Sequence, residues 1–142
     1  MEKKLSLSLT SVSTSTKAPI FKVSVDGKDI TNTGAMSSIG DDRKKFIYAY
    51  STPNIGQIDI ELINKEPFDT KVVDGKIVED LLVIVDDLSI DSVNLTSKLN
   101  KISVYRGDGN VYQSHGYITF KGVMCIKIHS NILYTDWLGG LI

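Results

Sequence analysis

Hydrophobic and polar residues alternate along most of the chain with a period of two. Residues 5–9 show it first, with three leucines separated by serines, and residues 21–25 repeat it before the turn pair Asp26-Gly27. Because successive side chains of a strand point to opposite faces, each segment predicts a strand with one buried face. The pattern returns in residues 46–50 and 58–62, and further strands are predicted at residues 103–105, 111–113, 117–120 and 123–128.

A continuous apolar run at residues 81–85 predicts a strand covered on both faces, at the centre of the core. Short strands with turn signals between them are typical of sandwiches and barrels. We therefore predict an all-β fold, a β-sandwich or barrel of about eight strands. Helix is expected only at residues 131–138, as a short C-terminal helical turn that Gly139-Gly140 would end.

Two connections follow from the same pattern. Residues 31–45 have no apolar stripe and end in a charged run, so they predict a long polar loop. The glycine-containing segment 106–110 predicts a hairpin between residues 103–105 and 111–113. Residues 117–120 and 123–128 predict a second hairpin around Lys121-Gly122.

The chain has 142 residues, of which 42% are hydrophobic, so we expect a single β domain over residues 1–142. A stretch rich in serine and threonine, residues 10–16, predicts a flexible crossing. Residues 1–16 would then form an extended N-terminal arm or a strand swapped onto a neighbouring subunit. No segment approaches the roughly 20 apolar residues of a membrane-spanning helix, so no membrane insertion is expected.

Charge and cysteine content narrow the classes of partner. The formal net charge is −1, with 16 Lys and Arg against 17 Asp and Glu, which is unlike a protein that binds phosphate backbones. We expect no nucleic-acid partner. The single Cys125 excludes an internal disulfide and a multi-cysteine zinc site, and its apolar neighbours predict a buried side chain. No cofactor is expected.

Catalytic constellations are missing from the sequence pattern. The two histidines, His115 and His129, lie in no nucleophile motif, and adjacent carboxylates on a strand point to opposite faces. We assign no catalytic residue and predict that the protein is not an enzyme. As an alternative, Asp86, Asp87 and Asp91 could contribute oxygen ligands to a calcium site of irregular loop geometry. Because they lack EF-hand spacing, no metal site is assigned.

Aromatic residues offer a binding alternative. Ring stacking could build a sugar-binding face from Tyr48, Tyr50, Tyr105, Tyr112, Tyr117, Tyr134 and Trp137. A structural interpretation competes with it, since a cross-strand pair such as Tyr105 with Tyr112 stabilises a hairpin without a ligand.

Two segments carry a family resemblance. Residues 20–31, a strand followed by Gly27-Lys28-Asp29-Ile30-Thr31, and residues 56–62 resemble the opening strands of phage tail-hub proteins of the late-control type. Residues 101–118 are similar to a barrel hairpin of the same family. The chain is much shorter than those hubs, so the resemblance implies a small collar or adaptor protein of a long-tailed siphophage instead.

The function expected from this resemblance is structural. The protein would be a non-enzymatic component of a phage tail tip or baseplate, assembling as a homo-oligomeric ring around the tail. Its partners would be itself and other tail proteins, and its location the virion, after synthesis in the host cytoplasm. Residues 4–10, as an unpaired edge strand, would add to a neighbour's sheet. The expected interface residues are Leu5, Leu7, Leu9, Trp137, Leu138, Leu141 and Ile142.

The alternative function is a carbohydrate-binding β-sandwich module. It predicts a monomer or dimer with exposed aromatic residues, and a bound calcium ion is compatible with it.

Overall fold

The computed structural model describes residues 2–13, 19–30, 42–66, 70–107 and 109–128. Strands dominate these residues, and their bounds in chain order are β1 Lys3–Ser13, β2 Phe21–Val25, β3 Lys28–Asp29, β4 Asp42–Thr52, β5 Gln57–Leu62, β6 Lys71–Val73, β7 Lys76–Glu79, β8 Leu81–Ile90, β9 Val93–Asn94, β10 Ser103–Gly107, β11 Asn110–Gln113, β12 Tyr117–Ile118 and β13 Gly122–Lys127. A 3₁₀ turn, Thr96–Lys98, leads into the helix α1, Leu99–Ile102.

The first sheet is five-stranded, with the order β12-β8-β1-β4 and β9 beside β8. Its long central strand, β1, pairs antiparallel with β4 on one side and with β8 on the other. The leucines of β1 point inward, and the serines and threonine between them are exposed or half-buried as far as Thr10. We call the side of this sheet that faces away from the core its outer face.

The second sheet is six-stranded, with the order β11-β10-β13-β5-β2-β3. All its pairings are antiparallel. The alternation that predicts strand β5 holds in the structure, because Ile58, Ile60 and Leu62 are fully buried while the residues between them are half-buried.

The inward faces of the two sheets form one hydrophobic core. Phe21 of the six-stranded sheet meets Phe46 of the five-stranded sheet edge to face, with ring centroids 5.4 Å apart. Two sheets packed over a shared apolar layer are a β-sandwich, so the predicted fold class is confirmed. The structure divides the chain into more strands than the eight expected, because several, such as β3, β9 and β12, are only two residues long.

The N-terminal strand corrects one expectation. Residues 4–10 are not an unpaired edge, since β1 has a hydrogen-bonded neighbour on each side within the same chain. Leu5, Leu7 and Leu9 are at most 2% exposed and belong to the core, so they do not form an exposed interface. The chain's own second sheet covers the apolar face of β1. The other expected interface residues, Trp137, Leu138, Leu141 and Ile142, lie outside the described residues, as does the helical turn at 131–138.

Three further expectations differ from the structure. The charged run that was expected to close the polar loop belongs to β4 from Asp42 onward, because its backbone pairs with residues 10–13 of β1. Strand β8 is buried on one face only, since Leu82 and Ile84 are half-exposed. The strands β12 and β13 do not form a hairpin, because β12 pairs with β8 in one sheet and β13 with β5 and β10 in the other.

Two local elements escape the sequence pattern. The hairpin β6–β7 is short and exposed over residues 71–77, and its turn at Asp74-Gly75 has positive φ at both residues. The helix α1 has only four residues, too few for a helical period to be read. Within the described ranges, no helix reaches the length and apolar character that crossing a membrane requires.

Candidate functional site

A cleft of about 280 Å³ lies where an edge of each sheet meets the other, between β3 and β4. Its lining combines aromatic, charged and aliphatic side chains: Lys28, Asp29, Ile30, Ile47, Tyr48, Ala49 and Tyr50. The volume is just below the roughly 300–1,000 Å³ of sites for drug-sized ligands, so the cleft suits a small ligand.

Alternation along β4 decides which residues line the inside of the cleft. Tyr48 and Tyr50 pair with Leu7 and Leu5 of β1, whose side chains lie in the core, so the two tyrosines point toward the second sheet. Ile47 falls on the opposite side of the same strand and is 71% exposed. The cleft therefore reaches from the inner side of β4 around its edge to the outer face of the five-stranded sheet.

The short strand β3 supplies the polar groups. Asp26 and Gly27 both adopt positive φ, which folds the chain back so that Lys28 pairs with Val25. The Asp26 carboxylate accepts hydrogen bonds from the backbone N–H groups of Gly56 and Gln57 and fixes this turn to the next loop. A turn held in this way presents Lys28 and Asp29 at a defined position beside β4.

The Lys28 ammonium lies over the Tyr50 ring, with Nζ 5.7 Å from the ring centroid. An exposed cation–π contact of this kind contributes about 0.5–1 kcal/mol, so a ligand can displace the ammonium at low cost. The ammonium also brings three hydrogen-bond donors to the ring. Tyr50 itself is half-buried, which leaves part of its ring accessible.

Tyr48 forms the floor of the cleft and is buried. Burial, and to a smaller extent the nearby Asp29 carboxylate, raise the pKa of Tyr48 to about 12. The phenol therefore stays protonated at neutral pH and keeps its O–H donor. Asp29 contributes a carboxylate, which has about four lone-pair sites and can accept from a ligand besides the partners that it already has.

The cleft therefore combines a partly exposed aromatic ring with hydrogen-bond donors and acceptors of both charges. The sequence predicts Tyr48 and Tyr50 among the aromatic residues of a sugar-binding face, and the structure places both of them in the cleft. The sequence pattern does not identify Lys28 and Asp29 as site residues. Their place beside β4 depends on a contact between edges of two different sheets, and nothing in the spacing along the chain encodes that contact.

The remaining aromatic residues are dispersed. Tyr105 and Tyr112 are cross-strand partners, as predicted, and both contact Phe120, with ring centroids 4.6 Å and 5.3 Å apart. The Tyr105 hydroxyl donates to the Phe120 carbonyl, so this cluster stabilises the β10–β11 hairpin. Tyr117 lies elsewhere, on the outer face of the five-stranded sheet, and is 59% exposed. Tyr134 and Trp137 lie outside the described residues.

The candidate calcium ligands do not converge. Asp87 accepts hydrogen bonds from the Asn94 amide and the Thr96 hydroxyl, each at 3.1 Å. Asp91 accepts from the Lys4 backbone N–H at 2.8 Å, and Asp86 accepts from the Thr10 hydroxyl. In the part of the chain that the structure describes, no group of three or more His, Cys, Asp or Glu residues could hold a metal ion. We derive no step through calcium.

The candidate catalytic and redox residues that the structure describes, His115 and Cys125, do not line the cleft. His115 is exposed in the loop after β11, and His129 lies outside the described residues. Cys125 is buried, as predicted. Burial raises the pKa of the Cys125 thiol, and Asp59 adds to this while Arg106 opposes it. The neutral thiol is thereby favoured, which is a property of a packed side chain and not of a nucleophile.

Comparisons with known proteins were made for sequence and for structure. No family model matches the sequence, and no curated protein matches it. Among solved structures, the selenomethionine form of vCBM60 superposes with a TM-score of 0.51 at 12% identity. That structure is described as showing that circular permutation provides an evolutionary link between two families of calcium-dependent carbohydrate-binding modules. That alignment covers 89% of this chain and 97% of vCBM60.

A second structure is vCBM60 in complex with galactobiose, with a TM-score of 0.48, 14% identity, and coverage of 86% of this chain and 97% of that one. The likeness to the selenomethionine form establishes a shared β-sandwich fold and nothing finer. No comparison bears on the resemblance to phage tail-hub proteins. The homo-oligomeric ring, the tail partners and the virion location stay predictions.

Proposed function

We propose that the protein is a carbohydrate-binding module whose ligand site is the cleft between β3 and β4. The observation that carries the proposal is the half-buried Tyr50 ring, which lies under the Lys28 ammonium in a cleft that Asp29 also lines. A sugar ring has an apolar face of C–H groups and a rim of hydroxyls. Its recognition needs an aromatic ring for the face and converging donors and acceptors for the rim.

The charges of the cleft favour a neutral glycan. The charged groups of the cleft lining are the Lys28 ammonium and the Asp29 carboxylate, so the lining carries no net charge. An acidic sugar would be attracted by Lys28 and repelled by Asp29. Hydroxyl groups, in contrast, can accept from the first and donate to the second. The shared fold with vCBM60, a carbohydrate-binding module, supports the same proposal.

Isothermal titration calorimetry tests the proposal, after a glycan array has selected ligands among neutral gluco-, galacto- and manno-oligosaccharides. We expect the substitution Tyr50→Ala to weaken binding by about tenfold or more, because it removes the stacking ring. Tyr50→Phe retains the ring and should retain most of the affinity. Asp29→Asn removes the charged acceptor and should weaken binding by a smaller factor.

Tyr112→Ala is the matched control, since it removes another partly exposed tyrosine that is distant from the cleft in the sheet order. The proposal is wrong if none of the glycans binds, or if Tyr50→Ala and Tyr112→Ala bind equally well. Titrations in calcium chloride and in EDTA are both needed because vCBM60 is associated with calcium-dependent modules. A strict calcium requirement would point to groups other than the cleft residues named above.

A further inference from the structure

The outer face of the five-stranded sheet carries an exposed tyrosine far from the cleft in the sheet order. Tyr117 of β12 is 59% exposed, while its neighbour Ile118 is fully buried, so the Tyr117 ring lies on the outer face. The strand register places it in a row with Ile84 of β8, Thr10 of β1 and Lys45 of β4. This row, Tyr117-Ile84-Thr10-Lys45, crosses the sheet at right angles to the strands.

The row begins at the strand that also forms the cleft. Ile47 lines the cleft and points to the outer face, two residues from Lys45 along β4. From Lys45 of β4 the row passes over β1 and β8 to β12, which is three strand spacings or about 14 Å, and Tyr50 lies five residues or about 17 Å farther along β4. A ligand that fills only the cleft cannot span this distance, whereas a chain of several sugar units can.

Between Tyr50 and Tyr117, the outer face of the five-stranded sheet carries hydroxyl, carboxylate and apolar groups that can contact a polysaccharide chain. Ser8 and Thr10 place hydroxyl groups along β1, and the exposed Asp86 carboxylate beside Thr10 accepts a hydrogen bond from it. The carboxylate has further lone pairs for sugar hydroxyls. Half-exposed Ile84 lies next to Tyr117 and extends the apolar surface that a sugar face can cover.

We infer that the ligand is an extended neutral glycan chain, held in the cleft at one end and stacked on Tyr117 at the other. This inference rests on the proposed function of the cleft and assigns the outer face of the five-stranded sheet as its continuation. Tyr117 provides the distal stacking ring. The row through Ile84 and Thr10 supports the units between.

Calorimetry with a disaccharide and a hexasaccharide of the same neutral series tests the inference. We expect the hexasaccharide to bind about tenfold more tightly than the disaccharide. Tyr117→Ala should remove this gain and leave disaccharide affinity unchanged, and Tyr117→Phe should keep the gain. Tyr112→Ala serves as the control that alters an exposed tyrosine of the other sheet.

The outcomes separate this inference from the function of the cleft. If both saccharides bind equally well and Tyr50→Ala abolishes binding, the extended path is wrong and the cleft stands. A length-dependent gain that survives Tyr117→Ala also overturns the path. If neither saccharide binds in any of the three series, both proposals fail.

Discussion

At the scale of single residues, Tyr48 shows how burial tunes a group in the cleft. Its pKa is raised to about 12, first by burial and then by the Asp29 carboxylate. The unfolded chain has the ordinary tyrosine pKa of about 10, so the folded state favours the protonated phenol. Stability from this effect is fully present below pH 10 and is lost as the pH rises toward 12.

We predict that the unfolding free energy of the Tyr48→Phe variant depends less steeply on pH than that of the parent protein. Between about pH 9 and about pH 11, the parent should lose about 1 kcal/mol more unfolding free energy than the variant, because only the parent ionises at this site on unfolding. Urea denaturation at the two pH values measures the difference. Parallel losses in the two proteins would show that Tyr48 is not shielded from water as described.

A second residue-scale prediction is the loss of stability when Gly122 is replaced, at the start of β13 where it pairs with β10. An added Cβ would clash with the Arg106 carbonyl oxygen and would lie 2.7 Å from the Tyr105 ring. Gly122→Ala should therefore destabilise the protein by about 3 kcal/mol, since backbone cannot give way as a flexible side chain does. Thermal and urea denaturation measure this loss.

Gly75→Ala is the control for Gly122→Ala. Gly75 has φ +76° but no atom within 4 Å of an added Cβ, so it should cost only about 1 kcal/mol of backbone strain. Equal losses at the two positions would contradict the close strand contact at Gly122.

At the scale of elements, alternation in the sequence is sufficient to predict most strands and their buried faces. Residues 5–9, 21–25 and 58–62 form strands whose apolar positions lie in the core, as the period of two requires. The partners of each strand are not predictable in this way. The pattern says that the leucines of β1 need an apolar surface, and it cannot say whether their own chain or a neighbour supplies it.

Strand β1 gives the element-scale prediction. Leu7 is fully buried in the central strand, so Leu7→Ala should destabilise the folded monomer by about 3 kcal/mol through the cavity that it leaves. Ser8→Ala, on the outer side of the same strand, should change stability by less than about 0.5 kcal/mol. Urea denaturation together with light scattering measures stability and mass. A variant Leu7→Ala that only dissociates, with unchanged stability, would restore the interface interpretation of β1.

At the scale of the whole molecule, the cleft arises from the relation between the two sheets. Tyr50 and Lys28 are each ordinary strand residues in the sequence, and they meet because the edge strand of one sheet lies beside the edge strand of the other. The fold class follows from local periodicity, whereas this site follows from sheet packing. That difference explains why the tyrosines were predicted as binding residues and their charged partners were not.

The same packing separates two roles for aromatic residues. Tyr105 and Phe120 pack against each other, and the Tyr105 ring also lies close to Gly122. Tyr50 and Tyr117, in contrast, keep accessible surface, the first in the cleft and the second on the outer face. Aromatic residues on the surface of a small domain need an explanation when polar groups converge on them. The proposed carbohydrate ligand would account for both positions.

The most direct test of this account is a two-dimensional amide NMR spectrum of the isotope-labelled protein, recorded while a neutral oligosaccharide that binds in calorimetry is titrated in. The account predicts that the largest shift changes fall on residues 28–30 and 47–50, with a second group around Tyr117 only when the oligosaccharide is long. Shift changes confined to the β6–β7 hairpin or to β10–β11, with the cleft residues unmoved, would contradict it.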